Sequence, residues 1–303
     1  MSTDWTQERT DRAAGTFLKE HGLDEPQPEL IRFYMNAVYR LPNNGLSLRL
    51  YGPEESSKRA RLMVAFARFL EAQDFPAVRL SKRFTAQPFE IDGLQTSVWD
   101  WLDRDEPHAW TYRDFGAALR RLHGISDGFD YPTDDLYPLR KIRMRLDRLA
   151  AKRSLRRDQL AILETAYAKA ADLLPRLMAS KLGAGVLHGD ALKGNSVMSG
   201  GRMHLIDFDS VCRGPREWDL AGVLATKRFG LSDDDGDDFL AGYGVGRSDL
   251  SDVEAAMVIK QLSMTVVLCL RAGASDAVGR EIAKRLRHWQ HWDFDAPWGN
   301  PFR

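Results

Sequence analysis

The chain has 303 residues, 44% of them hydrophobic, and its 43 lysines and arginines balance its 43 aspartates and glutamates. This length accommodates two domains and a large buried core, since a domain typically contains about 100–200 residues. The balanced charge removes the overall field that attracts nucleic acid or an anionic membrane, so the sequence predicts neither partner.

Segments for export, membrane insertion or cross-linking are not predicted. The opening residues, MSTDWTQERT, are polar where a signal peptide needs an apolar run, and Lys260 and Gln261 interrupt the longest late apolar stretch. That stretch is well short of the about 20 apolar residues that span a bilayer. The two cysteines, Cys212 and Cys269, are too few for a disulfide framework and lack metal-ligand spacing, which predicts buried or partly buried thiols. We therefore expect a soluble, cytoplasmic protein.

The first hundred residues alternate between helix and strand patterns. Residues 1–30 predict one amphipathic helix followed by a proline-containing loop. Strands at 37–41 and 46–51 flank a Pro-Asn-Asn-Gly turn, which is a strong hairpin signal. A helix follows at 58–70, where apolar residues recur at helical spacing, and two β-rich runs, 84–90 and 95–101, flank an Asp-Gly turn. These segments predict a small antiparallel sheet with one helix, ending near Leu102.

From residue 103 the pattern becomes helical. Helices are predicted at 112–123, 139–149 and 160–177, the last two packing antiparallel, and then at 218–229, 237–243, 253–272 and 276–289. The acidic run DDDGDD at 233–238 lies where a helix begins. It either complements the helix dipole on a solvated face or lies near a cationic substrate. The sequence thus predicts an α+β protein with a boundary between residues 102 and 103.

Residues suited to chemistry concentrate in LHGDALKGN, residues 187–195, and HLIDFDS, residues 204–210. Asp190 and Asn195 lie close together in sequence, and Asp207 follows a short apolar run predicted as a strand, with Gly200-Gly201 as the turn into it. Phosphoryl transfer needs one carboxylate to receive the proton of an attacking hydroxyl, and an amide with a second carboxylate to hold magnesium on the nucleotide phosphates. Asp190, Asn195 and Asp207 match these three roles.

These motifs resemble those of the aminoglycoside phosphotransferase and choline kinase family of small-molecule kinases, relatives of the protein kinases. The resemblance extends to GPREWDLA at 214–221, DFGAALRRLHG at 114–124, NAVYRL at 36–41 and LSLRLY at 46–51, and covers roughly residues 30–245. It implies a protein-kinase-like bilobal fold: a small antiparallel nucleotide-binding lobe at 1–102, and a larger, mainly helical catalytic and substrate-binding lobe at 103–303. It also implies ATP, with GTP not excluded, together with Mg²⁺ and a small-molecule hydroxyl acceptor.

The resemblance suggests further site residues. Arg49 lies where many relatives have a strand lysine and would bind phosphate oxygens, and Asp219 matches the structural aspartate that hydrogen-bonds the catalytic loop. From the sequence itself, His188 would orient that loop, because the preceding apolar residues Val186 and Leu187 indicate a buried strand end. Two residues have two interpretations each. Lys193 is either a phosphate ligand or a solvated lysine. Asp209 is either a turn residue or an indirect ligand of metal or water.

The nucleotide lobe departs from the family in two places. Met63 stands where relatives have a helix glutamate that pairs with the strand cation, so Arg49 is expected to be positioned by phosphate or by Glu54, Glu55 or Glu71. The segment 32–35, Arg-Phe-Tyr-Met, contains no glycine, which makes close backbone approach to phosphates harder.

Three functions follow from these observations. The leading hypothesis is an ATP-dependent, Mg²⁺-requiring kinase acting on a hydroxyl of an aminoglycoside-like antibiotic, sugar or amino alcohol. The alternative is a nucleotide-binding pseudokinase that acts as a sensor or partner protein. A protein kinase in the strict sense is disfavoured, because Asp207-Phe208-Asp209 replaces Asp-Phe-Gly. The sequence makes no prediction of the oligomeric state.

Overall fold

The structure is a computed structural model, which describes residues 5–33, 35–52, 57–105, 110–250, 253–294 and 296–301. The α-helices are α1 (Gln7–Glu20), α2 (Ser57–Ala72), α3 (Tyr112–Ser126), α4 (Pro138–Ala151), α5 (Arg157–Met178), α6 (Glu217–Leu224), α7 (Asp233–Tyr243), α8 (Val253–Cys269) and α9 (Asp276–His291). The strands are β1 (Glu29–Phe33), β2 (Asn36–Leu41), β3 (Leu46–Tyr51), β4 (Phe89–Ile91), β5 (Leu94–Asp100), β6 (Ala184–Leu187), β7 (Ser196–Ser199), β8 (Arg202–Leu205) and β9 (Cys212–Pro215).

The chain forms two compact units. The first unit contains residues 1–109, 128–133 and 194–209, and the second contains residues 110–127, 134–193 and 210–303. An antiparallel sheet dominates the first unit and helices dominate the second, which gives the predicted α+β class. The assignment of residues 1–102 and 103–303 to nucleotide and catalytic lobes stays a prediction.

The sheet of the first unit has the strand order β1-β2-β3-β5-β4, with every pair antiparallel. Because side chains alternate between the two faces of a strand, Tyr39 and Leu48 face a core that they share with Phe17 of α1. The opposite face carries polar side chains. On that face Val38 pairs with Arg32 of β1 and with Arg49 of β3, so these three residues form one row across the sheet.

Two predictions about this sheet were wrong. Strand β1 was assigned to a loop, and the predicted strand at 84–90 is reduced to β4, Phe89–Ile91. Gln87 explains the second error, because its side chain takes over hydrogen bonds that a strand backbone would make. Its Oε1 accepts the Val98 N–H at 2.6 Å, and its Nε2 donates to the Ser81 carbonyl at 3.2 Å.

The hairpin of β7 and β8 completes the first unit. Ser196 pairs with Leu205, and the turn consists of Gly200 and Gly201. These glycines have φ angles of 58° and 70°, the left-handed conformations that a tight two-residue hairpin turn requires. Strand β8 was predicted and β7 was not. The Leu205 N–H also donates to the Pro76 carbonyl at 3.1 Å, which attaches the hairpin to the segment after α2.

Aromatic rings bind α2 to two later segments of the chain. The Phe66 ring packs edge-on against Phe129 at 5.0 Å and against Phe208 at 5.3 Å between ring centroids. Such pairs add about 0.5–1.5 kcal/mol beyond area burial. Residues far apart in sequence therefore complete the packing around one helix.

The second unit has a helical core shared by α4, α5, α6, α8 and α9. Arg143 of α4 makes a forked ion pair with Glu164 of α5, at 2.6 and 2.7 Å. The helix predicted at 218–229 ends at Leu224 and continues as a 3₁₀ turn to Phe229. Both cysteines are buried and unlinked, as predicted. Within the described ranges, no helix is both long enough and apolar enough to cross a membrane.

Candidate active site

The loop predicted to be catalytic begins where β6 ends, with His188, Gly189 and Asp190. Gly189 has φ +83°, and a Cβ at this position would lie 1.9 Å from the Ser210 carbonyl oxygen. Since any larger side chain would collide with backbone, the loop can take this path only with glycine. The path leaves the Asp190 side chain partly exposed in the second unit.

Asp219 of α6 holds this loop in place. Its carboxylate accepts the backbone N–H of His188 at 2.8 Å and that of Gly189 at 2.9 Å, and His123 Nε2 lies 3.0 Å away. Tyr243 in turn places its hydroxyl 2.8 Å from His123 Nδ1. Asp219 is fully buried. It accepts hydrogen bonds from two loop amides and also belongs to a buried side-chain network with His123 and Tyr243. These are the loop contacts that the resemblance implies for this aspartate.

The electrostatics around Asp219 keep it ionised. Burial pushes the pKa of Asp219 upward, but the hydrogen bond from His123 and the nearby His123, His188 and Lys260 outweigh burial and hold the pKa below its ordinary value of 3.8. A buried carboxylate hydrogen-bonded to donors in this way keeps its charge at neutral pH. The loop is therefore anchored by an anion.

Other side chains line the same loop. His188 is buried, and its Nδ1 lies 3.4 Å from the backbone nitrogen of Asp190, a position suited to the orienting role predicted for it. Lys193 is exposed and places its ammonium 5.0 Å from the Trp110 ring and 5.1 Å from the Tyr112 ring. Neither of its two predicted roles is decided by these contacts.

A buried lysine near the loop was not predicted. Lys260 of α8 places Nζ 4.3 Å from the ring centroid of Trp218, whose indole N–H donates to the Gly189 carbonyl at 3.0 Å. Burial lowers the pKa of Lys260, while the charges of Asp219 and Asp190 oppose that change. In the sequence Lys260 is only a charge within an apolar helix, and no motif marks it.

In the first unit the hairpin brings the two predicted metal ligands together. Asn195 precedes β7 and Asp207 follows β8, and the Ile206 N–H donates to the Asn195 carbonyl at 3.0 Å. Asp207 has φ +63°, a left-handed conformation that is uncommon for residues other than glycine and concentrates at functional sites. The hairpin register thus places an amide and a carboxylate at one end of a two-stranded element.

Asp207 and Asp209 are both engaged by the polar face of the sheet. Arg32 donates to Asp207 Oδ2 at 2.7 Å and to Asp209 Oδ2 at 3.2 Å, and Asn36 Nδ2 donates to Asp209 Oδ2 at 2.7 Å. Arg49 binds Asp209 Oδ2 and lies 3.6 Å from Asp207 Oδ1. The roles of Arg32 and Asn36 were not predicted. Asp209 is a partly buried ion-pair partner, and its two interpretations, an indirect metal or water ligand and a turn residue, stay predictions.

The expectation for the environment of Arg49 was wrong. Arg49 is buried against these two carboxylates, whereas positioning by phosphate or by a glutamate at 54, 55 or 71 was expected. Met63 is 2% exposed within the core, and Glu71 pairs with Lys82 at 3.1 Å. The other suggested partners, Glu54 and Glu55, lie outside the described residues. The carboxylate partner of Arg49 thus comes from the segment after β8 and not from α2.

The two carboxylates have different acidities. Burial raises the pKa of Asp207, but the hydrogen bond from Arg32 and the charges of both arginines outweigh it and bring the pKa to about 2. Burial, together with the charge of Asp207, raises the pKa of Asp209 above its ordinary value against the opposing charges of Arg49 and Arg32.

The donor set at this end of the hairpin fits a magnesium ion. The Oδ1 atoms of Asp207 and Asp209 are buried and accept no hydrogen bond from the described residues, although Arg49 lies within ion-pair distance of Asp207. Carboxylate and amide oxygens are the ligands that Mg²⁺ takes in nucleotide sites, with the remaining positions filled by phosphate and water. Groups of three or more His, Cys, Asp or Glu side chains arranged to hold a metal do not occur among the described residues.

Comparisons with known proteins identify a matching family and related folds. A family model described as the phosphotransferase enzyme family matches residues 34–256. A search of curated protein sequences gave no match.

Solved structures of small-molecule kinases share the fold. Amicoumacin kinase hAmiN, in complex with AMP-PNP, Ca²⁺ and Ami, superposes with a TM-score of 0.75 at 15% identity, covering 97% of this chain and 98% of that one. A choline/ethanolamine kinase family protein from Mesorhizobium loti gives 0.64 at 18% identity, with 93% and 94% covered. Aminoglycoside phosphotransferase APH(3'')-Id from Streptomyces rimosus gives 0.62 at 19% identity, with 83% and 98% covered.

Proposed function

The chain belongs to the phosphotransferase enzyme family, and on this premise we propose that it transfers the γ-phosphoryl group of ATP, with Mg²⁺, to a hydroxyl of a small molecule. The observation that carries the proposal is the β7–β8 hairpin, which presents Asn195 and Asp207 at one end with a buried Asp207 oxygen that accepts no hydrogen bond from the described residues. An amide and a carboxylate so placed fit the metal-holding half of a kinase site.

Asp190 has the role of base in this proposal. As the acceptor oxygen forms its bond to the γ-phosphorus, the bond from that phosphorus to the bridging oxygen breaks, and the nucleoside diphosphate leaves with the electron pair. Asp190 receives the proton of the hydroxyl and orients it for attack. The anchoring of His188 and Gly189 by Asp219 supports this role, because it fixes the backbone on which Asp190 stands.

Asn195 and Asp207 would hold Mg²⁺, and Arg49 would contribute charge to the nucleotide phosphates. The bound ion supplies neutralisation of the charge on the phosphate oxygens. An arginine suits this position because its planar group can make two parallel hydrogen bonds to phosphate oxygens. The Arg49 side chain is 9% exposed and thus largely shielded from water, which makes such contacts stronger than in bulk water.

The acceptor is proposed as a hydroxylated small molecule such as an aminoglycoside-like antibiotic, a sugar or an amino alcohol. The acidic run at the start of α7 gives limited support to a polycationic acceptor, because three of its five carboxylates already have basic partners. Asp233 pairs with Lys227 at 3.0 Å, and Asp238 pairs with Arg113 at 2.6 Å. Ser232 caps the helix, so the run has the dipole-complementing placement considered from the sequence.

A screen for ADP release tests the proposal. Purified protein with ATP and Mg²⁺ is offered a panel of aminoglycosides, sugars, amino alcohols and nucleosides, and GTP replaces ATP in a parallel series. Acceptor-dependent release by the wild type that Asp190→Asn abolishes is the expected result. Release independent of any acceptor, or unaffected by that substitution, would refute it.

A nucleotide-binding pseudokinase is the alternative function. The observation that favours it is the pairing of Asp207 and Asp209 with Arg32 and Arg49, which occupies carboxylate oxygens that a metal-dependent kinase uses. Tight nucleotide binding without turnover on any acceptor in the same screen would select this alternative.

A further inference from the structure

Arg32 reaches the carboxylates because of an irregularity in β1. Leu30 pairs with Tyr39 and Phe33 pairs with Ala37, so both face the α1 core, and the register shifts between Leu30 and Arg32. The shift is a bulge, which re-aims the side chains next to it. In a regular strand Arg32 would oppose Ala37 on the core face, whereas here it pairs with Val38 on the polar face.

The contacts of Arg32 join three neighbouring groups. Besides its bonds to Asp207 and Asp209, its Nε and one terminal nitrogen donate to Asn36 Oδ1 at 3.2 and 2.9 Å. Asn36 donates its own amide to Asp209. The guanidinium is therefore oriented by an amide while it covers the Asp207 oxygen that faces it.

Charge explains why this arrangement must change when metal and nucleotide enter. Arg32 and Arg49 face Asp207 and Asp209, so the cluster has no net negative charge that would attract a divalent cation. Asp207 Oδ2 is bonded to Arg32, and Asp207 Oδ1 is shielded from solvent. A cation can bind Asp207 only when one of the two arginines moves away from it. The nucleotide phosphates then bring negative charge that the displaced arginine can bind.

Exposure identifies the arginine that moves. The side chain of Arg32 is 39% exposed, whereas that of Arg49 is 9% exposed. Arg49 also lies over the Tyr51 ring, at 5.5 Å from its centroid. Displacing the half-exposed arginine costs less, because an exposed ion pair contributes little net free energy and water compensates for its loss.

We infer that Arg32 is a nucleotide-binding residue whose side chain has two positions. In the nucleotide-free protein it pairs with Asp207 and neutralises it. When the divalent cation binds Asp207, the Arg32 side chain moves to a nucleotide phosphate. The segment between Arg32 and Asn36 has no glycine. The guanidinium of Arg32 therefore supplies the phosphate contact that the backbone N–H groups of a glycine-rich loop would otherwise make. The inference rests on the proposed function, since it requires nucleotide and metal at this site.

Binding of Mn²⁺, followed by its electron paramagnetic resonance signal with and without ADP, tests the exchange. Arg32→Met removes the competitor, so Mn²⁺ alone should bind about 10-fold tighter than to the wild type. It also removes the side chain that binds phosphate. The factor by which ADP raises the affinity for Mn²⁺, and Mn²⁺ the affinity for ADP, should therefore fall by about 10-fold. The control is Arg40→Met on the same sheet face, where Arg40 pairs with Glu29 and stacks on Trp101; neither quantity should change.

Each outcome has a defined meaning. A wild type that binds ADP with Mn²⁺, together with an Arg32→Met protein whose Mn²⁺ affinity and ADP coupling equal those of Arg40→Met, overturns the inference and leaves the proposed function standing. A wild type that binds no nucleotide removes both. If Arg32→Met fails to fold, as judged by its thermal transition, Arg32→Gln takes its place with the same expected changes.

Discussion

The anchoring of the catalytic loop by Asp219 can be tested with one substitution, Asp219→Asn. An asparagine has nearly the same shape but a single acceptor oxygen. If that oxygen stays where Oδ2 now accepts from His188 and His123, the new amide points at the Gly189 N–H, donor against donor. The opposite rotamer places the amide against the other two donors, so every rotamer loses at least one bond and strands a buried donor.

The cost follows from these contacts. A hydrogen bond to a charged group contributes about 1.5–3 kcal/mol, and an unsatisfied buried donor costs about 1–3 kcal/mol. Asp219→Asn should therefore lower the free energy of unfolding by about 3–5 kcal/mol, a large part of the about 5–15 kcal/mol of a typical domain. Turnover should fall as well, because the anchored amides adjoin Asp190.

Urea denaturation gives the measurement, with a lower midpoint at an unchanged slope. The matched control is Asp127→Asn in the same unit, whose carboxylate pairs with Arg216 at 2.7 Å but is 54% exposed. An exposed pair of this kind contributes less than about 1 kcal/mol. If Asp219→Asn costs no more than this control, the anchoring argument fails.

The acid dependence provides a second check. The folded-state pKa of Asp219 is held below its ordinary value of 3.8, so its ionised form stabilises the folded state. That contribution is fully present above the unfolded-state pKa and is lost as the pH falls through the folded-state pKa. The stability gap between wild type and Asp219→Asn should stay constant from about pH 5 to 8 and shrink below about pH 4. A gap that widened on acidification would contradict the assignment.

Four further predictions follow from the sites. Asp190→Asn should reduce turnover at least about 10²-fold and leave ATP affinity within a few fold, since the base acts on the acceptor; a variant keeping a tenth of the activity would show that the base lies elsewhere. Asp207→Ala should raise the Mg²⁺ requirement for nucleotide binding more than Asn195→Ala, because a carboxylate brings full charge to a hard cation, and magnesium titrations at fixed ATP give the order. Gly189→Ala should destabilise the protein by more than about 2 kcal/mol, because its Cβ would lie 1.9 Å from a carbonyl oxygen; an unshifted denaturation midpoint would contradict the close approach. Met63→Glu should destabilise the protein by burying an unpaired charge and should not tighten ATP binding, because Arg49 already has carboxylate partners; denaturation and calorimetry measure the two effects.

The loop that carries the candidate site residues could be recognised in the sequence, because phosphoryl transfer would impose a pattern on contiguous residues. Asp190 and Asn195 occur within one loop, and Asp207 follows a strand whose partner is its sequence neighbour. The features that indicate this site can therefore be seen in the sequence: the short spacing, the turn glycines and the required residue types. Long, periodic helices such as α5 were predicted to within a few residues for the same reason, since their evidence is local.

Arg32 could not be predicted, because its position depends on a break in the pattern that sequence analysis uses. The bulge in β1 puts Ile31 and Arg32 together on one face, which destroys the alternation that marks a strand. Lys260 was missed for a different reason. Its proximity to Trp218 joins two helices far apart in sequence, and a lysine in an apolar helix has no motif to identify it.

The order in which the chain is synthesised has a consequence for the first unit. Its sheet and α2 are complete by residue 109, yet Phe129 and Phe208, which cover Phe66, belong to the segments 128–133 and 194–209. At about 5–20 residues per second, the 100 residues from 109 to 209 take about 5–20 s to emerge from the ribosome. Phe129 follows early in that interval, but the part of the cover that Phe208 provides is missing until its end. The nascent chain should therefore be a ribosome-bound client of chaperones, and a fragment ending at residue 109 should aggregate.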